Sequence, residues 1–304
     1  MSDTKAFSAQ EALSEQSTLD MLKRERKAND AWHKLARNKM AVVGLVIVAF
    51  MVILAVFAPL LAPQNPDAID VTKSFLKPGV EGHILGTDAY GRDLLSRIIY
   101  GARISIFVAV GGSILGAIVG ILLGLVAGYF GGVVDSVIMR IMDGMMAFPF
   151  ILLALILMTI LGTGIINVIL AIGVSNVPSF ARVVRGQVHI VKNSEYCNAE
   201  RVLGASGSRI LFRHILMNSI SPIIVYFTLN VASAIISEAA LSFLGMGITA
   251  PTPSWGNILS EGKEALRTAP HIATVSGMFI LVTVVGFNLL GDGVRDVLDP
   301  KQKR

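Results

Sequence analysis

The chain has 304 residues, 53% of them hydrophobic and only 15% charged, where a soluble domain carries about 25% charged residues. With a mean hydropathy of +0.67, this composition argues against a disordered chain, a disulfide-stapled secreted domain and a nucleic-acid-binding module. The formal net charge is +5, and its placement along the chain says more than its sum.

A helix rising 1.5 Å per residue needs about 20 apolar residues to cross a bilayer core about 30 Å thick. Stretches free of Asp, Glu, Lys and Arg therefore mark candidate spans. They run over 40–66, 104–134, 144–181, 215–237 and 268–291. The third is close to twice the minimum length and holds Gly162-Thr163-Gly164 near its middle, a turn signal. It reads as two helices, about 145–161 and 165–181. The expected fold class is therefore all-α integral membrane with six transmembrane helices. The chain divides into an N-terminal segment 1–39, a first transmembrane helix 40–62 and a loop 63–103. A core 104–292 follows, with five further spans and an inserted loop 182–214, and then a tail 293–304.

Basic residues give the orientation. Lys23, Arg24, Arg26, Lys27, Lys34, Arg37 and Lys39 precede the first span. Arg182, Arg185, Lys192, Arg201, Arg209 and Arg213 fill the inserted loop, and Arg295, Lys301, Lys303 and Arg304 the tail. Six spans place all three groups on one side, which the positive-inside rule makes the cytoplasm. Both termini are then cytoplasmic, whereas five spans would oppose the charge. The first span is too long for a cleavable signal, and Pro59-Leu60-Leu61 is no small-residue cleavage site. Residues 1–18 are polar and expected to be disordered. Residues 19–37 admit two readings. One is an interfacial helix with Leu19, Leu22, Trp32 and Leu35 on one face; the other is a solvated charged helix.

The second window carries Gly112, Gly116, Gly120, Gly124 and Gly128, one every fourth residue and so on one helix face. Such a ladder lets a neighbouring backbone approach closely. Tight packing is the expectation, and sliding between helices is the alternative. Glu238 is the main ionisable group within the windows' reach; Asn167, Asn176, Asn230 and Asn288 are the other polar candidates. Glu238 faces either a water-filled cavity or the membrane interface, the second being the expectation. This scarcity argues against an ion-coupled secondary transporter.

The sequence holds no G-x-x-x-x-G-K-[ST] phosphate loop, no G-x-S-x-G and no H-E-x-x-H. His33, His83, His189, His214 and His271 are scattered, so no metal site is expected. The chain is not expected to be an enzyme or to bind a cofactor itself, and any active transport would draw on an ion gradient or a partner.

The inserted loop is the most specific segment. It reads Glu195-Tyr196-Cys197-Asn198-Ala199-Glu200-Arg201-Val202-Leu203-Gly204-Ala205-Ser206. A short helix ending at Gly204 and a second starting near Ser206 is the local reading. Cys197 is expected to be a packing residue. The segment resembles the EAA loop of the membrane subunits of binding-protein-dependent ABC importers, with Ala199 and Gly204 on the pattern. Asn198 stands where that family has Glu, Glu200 where it has the second Ala, and Met217 where it has Pro.

Three further motifs resemble the peptide/nickel branch, and within it the second permease. The first is Gly86-Thr87-Asp88 with Gly91-Arg92-Asp93, followed by Gly101-Ala102-Arg103. The others are Leu241-Ser242-Phe243-Leu244-Gly245 with Pro253-Ser254-Trp255-Gly256, and Phe287-Asn288-Leu289-Leu290-Gly291 with Asp299-Pro300. The 86–93 motif reads as turns whose charges pair locally or as a contact surface for a delivering protein. Trp255 reads as an interfacial anchor rather than a ligand contact.

The resemblance implies a type I ABC importer permease fold in a bacterial cytoplasmic (inner) membrane. It implies a half-channel for di-/oligopeptides, with nickel, glutathione or another small solute as the alternative cargo. The implied partners are a second homologous permease (a heterodimer), two ATPase subunits that bind the ATP and Mg²⁺, and an extracytoplasmic substrate-binding protein. Glu195, Tyr196, Asn198, Ala199, Glu200, Arg201, Leu203, Gly204 and Ala205 would form the coupling surface for an ATPase.

Overall fold

The structure, a computed structural model, describes residues 36–298. The 19–37 segment, the tail beyond Leu298 and the Asp299-Pro300 motif lie wholly or largely outside the described residues. All regular structure among the described residues is helical. The long helices are α1 (Lys39–Val56), α2 (Leu94–Phe130), α3 (Gly132–Met146), α4 (Phe150–Leu161), α5 (Ile165–Lys192), α6 (Glu195–Val202), α7 (Gly207–Phe243), α8 (Trp255–Glu264) and α9 (Pro270–Leu298).

Five of these, α1, α2, α5, α7 and α9, are long and apolar enough to cross a membrane. The pair α3–α4 passes the same test only together, and it is bent by 89° at residues 147–149. The helix expected at 145–161 is thus shortened to 150–161, and α3 fills the stretch before it. Pro149 precedes the first residue of α4 and supplies no amide hydrogen to continue α3. Alone, α4 has 12 residues, about 18 Å at 1.5 Å each, which is too short to span.

Helix ends follow capping rather than the charge-free windows. α2 begins ten residues before its window because the Asp93 carboxylate accepts from Ser96 N at 2.8 Å. α1 starts where Asn38 accepts from Met40 N and Ala41 N at 3.1 and 3.2 Å. α5 continues to Lys192, past the window's end, because Arg182 and Arg185 find carboxylates on α3. α7 contains a π-helical stretch, Ile210–Leu216, and an interior Pro222. There the Asn218 amide donates to His214 O at 2.6 Å and the Ser219 hydroxyl to Ile215 O at 2.8 Å, so side chains satisfy these carbonyls.

The α2–α5 pair forms the centre of the bundle. A methyl group built on Gly116 would lie 2.8 Å from Asn176 Cβ, and one on Gly124 2.5 Å from Ala181 O and 2.8 Å from Val184 Cβ. The glycine face therefore lies directly against the α5 backbone, where only hydrogen fits. α1 meets α9 the same way: Gly44 faces Gly286 O and Leu289, and Gly286 faces Ile47. The outward sides stay apolar, with Val46, Phe50 and Val56 exposed on α1 and Phe107, Ile114 and Ile118 on α2. That pattern suits a hydrocarbon surrounding.

The bundle has two distinct ends. One carries residues 62–93, the 162–164 hairpin and residues 244–269, joined by Gly164 N to Gly247 O and by Arg92 to Glu261. The other carries α6 together with both described termini, which meet where Asn38 donates to Asp296 at 2.9 Å.

Candidate functional site

α6 forms the extreme of the second end. Its inner face is anchored by Cys197, fully buried among Leu125, Val184, Val188, Ile210 and Ile215. Its outer face is free. Val202 is 88% and Leu203 81% exposed, and Tyr196 is 42% exposed. Two apolar side chains projecting into solvent at a helix end suit a partner's apolar groove, since each is worth about 1.5–3 kcal/mol when covered. Glu195, Asn198, Ala199, Arg201 and Gly204 share this exposure, while Glu200 and Ala205 are half-buried.

The helix stops at a defined place. Gly204 has φ +79°, a left-handed conformation that favours glycine. Ala205 N donates back to Glu200 O at 3.0 Å and Gly204 N to Arg201 O at 3.0 Å, closing the last carbonyls. Asn198 accepts from Arg201 Nη1 at 3.1 Å, and Glu200 lies 3.7 Å from His214 Nε2. The displaced acid thus faces the start of α7, and Asn198 holds the outward position. Val202 escaped the sequence reading because the motif letters skip it; its signal was an apolar pair directly before the glycine.

The half of α5 that leads into α6 is pinned to its neighbours. Lys192 donates to Tyr129 O at the end of α2. Arg185 makes a two-pronged pair with Asp135 at 2.5 and 2.6 Å, and Arg182 meets Asp143 at 2.7 Å, so α3 is tied to the half of α5 that leads into α6.

At the opposite end the 86–93 motif is buried and paired. Asp88, Arg92 and Asp93 are each at most 3% exposed. Arg92 Nε donates to Asp88 at 2.6 Å and Arg92 Nη2 to Glu261 at 3.0 Å. Arg97, fully buried, lies 3.3 Å from Asp88 and 3.4 Å from Glu261. His83 Nδ1 lies 2.9 Å from Asp93, and Thr87 donates to Lys73 O at 2.5 Å. Gly86 and Gly91 sit where the chain passes the Leu76 and Asp70 carbonyls too closely for a side chain. Glu261, which completes this network, was not picked out from the sequence, since 169 residues separate it from Arg92. Asp70, exposed on the same loop, has its carboxyl held below the usual range, chiefly by the Thr72 hydroxyl.

Two expectations are corrected here. Trp255 is fully buried rather than anchored at the membrane interface: its Nε1 donates to Ile98 O at 3.1 Å, and its amide to the Ser105 hydroxyl at 3.2 Å. Glu238 is also fully buried inside the bundle rather than exposed at an interface. Of the asparagines, Asn230 donates to Asn176 at 2.9 Å between α7 and α5. Asn167 donates to Leu161 O, the last carbonyl of α4, and to Gly162 O just beyond it, and Asn288 is exposed. Among the described residues no cluster of His, Cys, Asp or Glu could hold a metal ion.

Residues 120–304 match the family of binding-protein-dependent transport system inner membrane components, and residues 28–78 match the N-terminal TM domain of oligopeptide transport permease C. A dipeptide transport system permease protein DppC from Alkalihalophilus pseudofirmus is 44% identical over 277 residues, covering 90% of each chain. Glutathione transport system permease proteins GsiD from Shigella flexneri serotype 5b and Escherichia coli O157:H7 are 44% and 43% identical, each over 276 residues, 90% of this chain and 91% of theirs. The chain therefore belongs to the inner membrane components of binding-protein-dependent transport systems, as a multi-pass ABC importer permease of the OppC/DppC type.

Proposed function

We propose that this chain forms half of a translocation path for small peptides across the bacterial cytoplasmic membrane and couples that path to a separate ATPase. The bent α3–α4 pair serves as the sixth span, so both termini and α6 lie in the cytoplasm, and the 62–93 and 244–269 segments lie outside. A second, homologous permease completes the path. Two ATPase subunits hold the ATP and Mg²⁺, and an extracytoplasmic binding protein delivers the cargo.

The observation that carries this reading is α6. It is a short, capped helix with an uncovered apolar tip, joined by buried Cys197 and the Lys192–Tyr129 contact to the central helices. Closure of the ATPases on ATP would draw the two coupling helices together, and α5 and α7 would carry that displacement through the membrane. This is a two-state bundle biased by a ligand bound elsewhere. The docking energy comes from Val202, Leu203 and Tyr196, with Glu195, Asn198, Ala199 and Arg201 forming the rim.

A peptide cargo is supported by relatives named for dipeptide and for glutathione transport, the latter cargo being itself a tripeptide. Competition tests it. Uptake of a labelled dipeptide that depends on this chain should be suppressed by unlabelled di- and tripeptides and unaffected by nickel. Suppression by nickel with no effect of peptides would reassign the cargo.

A further inference from the structure

Glu238 has no role in the pairing networks above, yet it is a fully buried carboxyl near the outer end of α7. Its Oε1 accepts from the Ser242 hydroxyl at 2.9 Å, and Oε2 has no hydrogen-bond partner among the described residues. The hydroxyls of Ser105 and Ser254 stand beside the same carboxyl. Each of these three serine oxygens already accepts one backbone amide. Ser242 accepts from Ile248 at 3.1 Å, Ser105 from Trp255 at 3.2 Å and Ser254 from Asn257 at 3.2 Å. Those amides belong to one stretch, 248–257, that crosses the end of the bundle. A serine whose oxygen is occupied by an amide still has its own proton to give, and a buried proton without an acceptor is costly. Ser242 gives its proton to this carboxyl, and for Ser105 and Ser254 the same carboxyl, with Oε2 still unpartnered, is the acceptor beside them.

We propose that Glu238 is the positioning residue of the extracytoplasmic mouth, fixing segment 248–257 at three points through Ser105, Ser242 and Ser254. This segment, through Ile248, Thr249 and Thr252, forms one wall of an open cleft of about 340 Å³ whose other wall is the start of α5 at Gly164–Asn167. Glu238 acts through that wall and not on the cargo itself. The proposal rests on the importer reading for its functional consequence, whereas the placement of the segment is independent of it.

The test uses the complete importer in proteoliposomes, with Glu238→Gln, Glu238→Ala and Ser242→Ala. The Thr249→Cys substitution serves as a reporter, because Thr249 is exposed and the native Cys197 is buried at the opposite end. Glutamine keeps the acceptor Oε1 and the shape of the side chain. Glu238→Ala should change the maleimide labelling rate at position 249 and raise KM for the substrate-loaded binding protein, each about fivefold, the size of one lost hydrogen bond. Its kcat should stay within about twofold of the parent, as expected when a docking contact rather than the driving step is altered. Glu238→Gln should lie close to the parent, and Ser242→Ala, which frees Ile248 alone, should fall between. An unchanged labelling rate in Glu238→Ala, a loss of kcat and membrane abundance with constant KM, or equal damage from Gln and Ala would each overturn the proposal. If the parent takes up no peptide, the labelling series still decides the placement, so failure of the importer reading is told apart from failure of this one.

Discussion

Substitution of Gly124 by alanine probes the α2–α5 contact directly. The new methyl carbon would lie 2.5 Å from Ala181 O, 2.8 Å from Val184 Cβ and 3.1 Å from Arg185 N. Ordinary carbon contacts begin near 3.4 Å, so the helices must part locally by about 0.9 Å. Two of the three neighbours are backbone atoms and cannot rotate away. Overpacking of this kind costs about 1–3 kcal/mol, and a gap of 0.5–1 Å forfeits a quarter to a half of each neighbouring dispersion contact. We therefore expect about 2–3 kcal/mol of destabilisation, since Gly120 and Gly128 lose contact together with Gly124. Gly186→Ala on α5 is the control, because nothing lies within 4 Å of its added carbon. Alanine there should be neutral or stabilise by up to about 1 kcal/mol through helix propensity. Thermal or denaturant unfolding of the purified subunit in detergent measures both variants. Equal stability of Gly124→Ala and Gly186→Ala would refute the view that backbone proximity along the glycine face holds the bundle together.

Three further outcomes are expected. Gly204→Pro removes the amide that donates to Arg201 O and forbids φ +79°; it should leave the protein in the membrane but abolish ATP-driven uptake, measured against abundance by immunoblot. Val202→Asp combined with Leu203→Asp alters only solvent-exposed side chains, so subunit stability should change by under about 0.5 kcal/mol, whereas co-purification of the ATPase should fall at least about tenfold, the effect of 1.4 kcal/mol. Arg97→Met leaves Asp88 and Glu261 with one arginine in place of two. Removing one partner of a buried ion network costs about 3–5 kcal/mol, so the unfolding midpoint should drop sharply, and an unchanged midpoint would show that this network does not hold the outer loop.

Much of this fold was legible in the sequence, for reasons that differ from element to element. The hairpin at Gly162–Gly164 and the glycine at 204 could be located because turn chemistry is local. The five-glycine face could be read because helical period places those residues in line. Charge-free windows, by contrast, located helices without bounding them. α2 and α5 both extend through arginines, because Arg97 meets Asp88 and Glu261 and Arg185 meets Asp135. Those partners lie 50 or more residues away in two of the three cases, and no local pattern announces them. The bend at 147–149 was concealed because Pro149 falls within an unbroken apolar run. Trp255 and Glu238 were misplaced for a related reason. Both are amphipathic enough for an interface, and only the folding of 244–264 back over α2 buries them. At α6 the motif letters located the helix and Leu203, but not Val202, the more exposed of the two apolar side chains at its tip.

The central claim is that transport through this chain is driven by a partner ATPase. Its most direct test is uptake of labelled dipeptide by cells with and without the chain, with ATP depletion and an uncoupler applied separately. Uptake should require the chain, stop on ATP depletion and persist when the ion gradient is collapsed. Chain-dependent uptake that survives ATP depletion and stops with the uncoupler would contradict the claim.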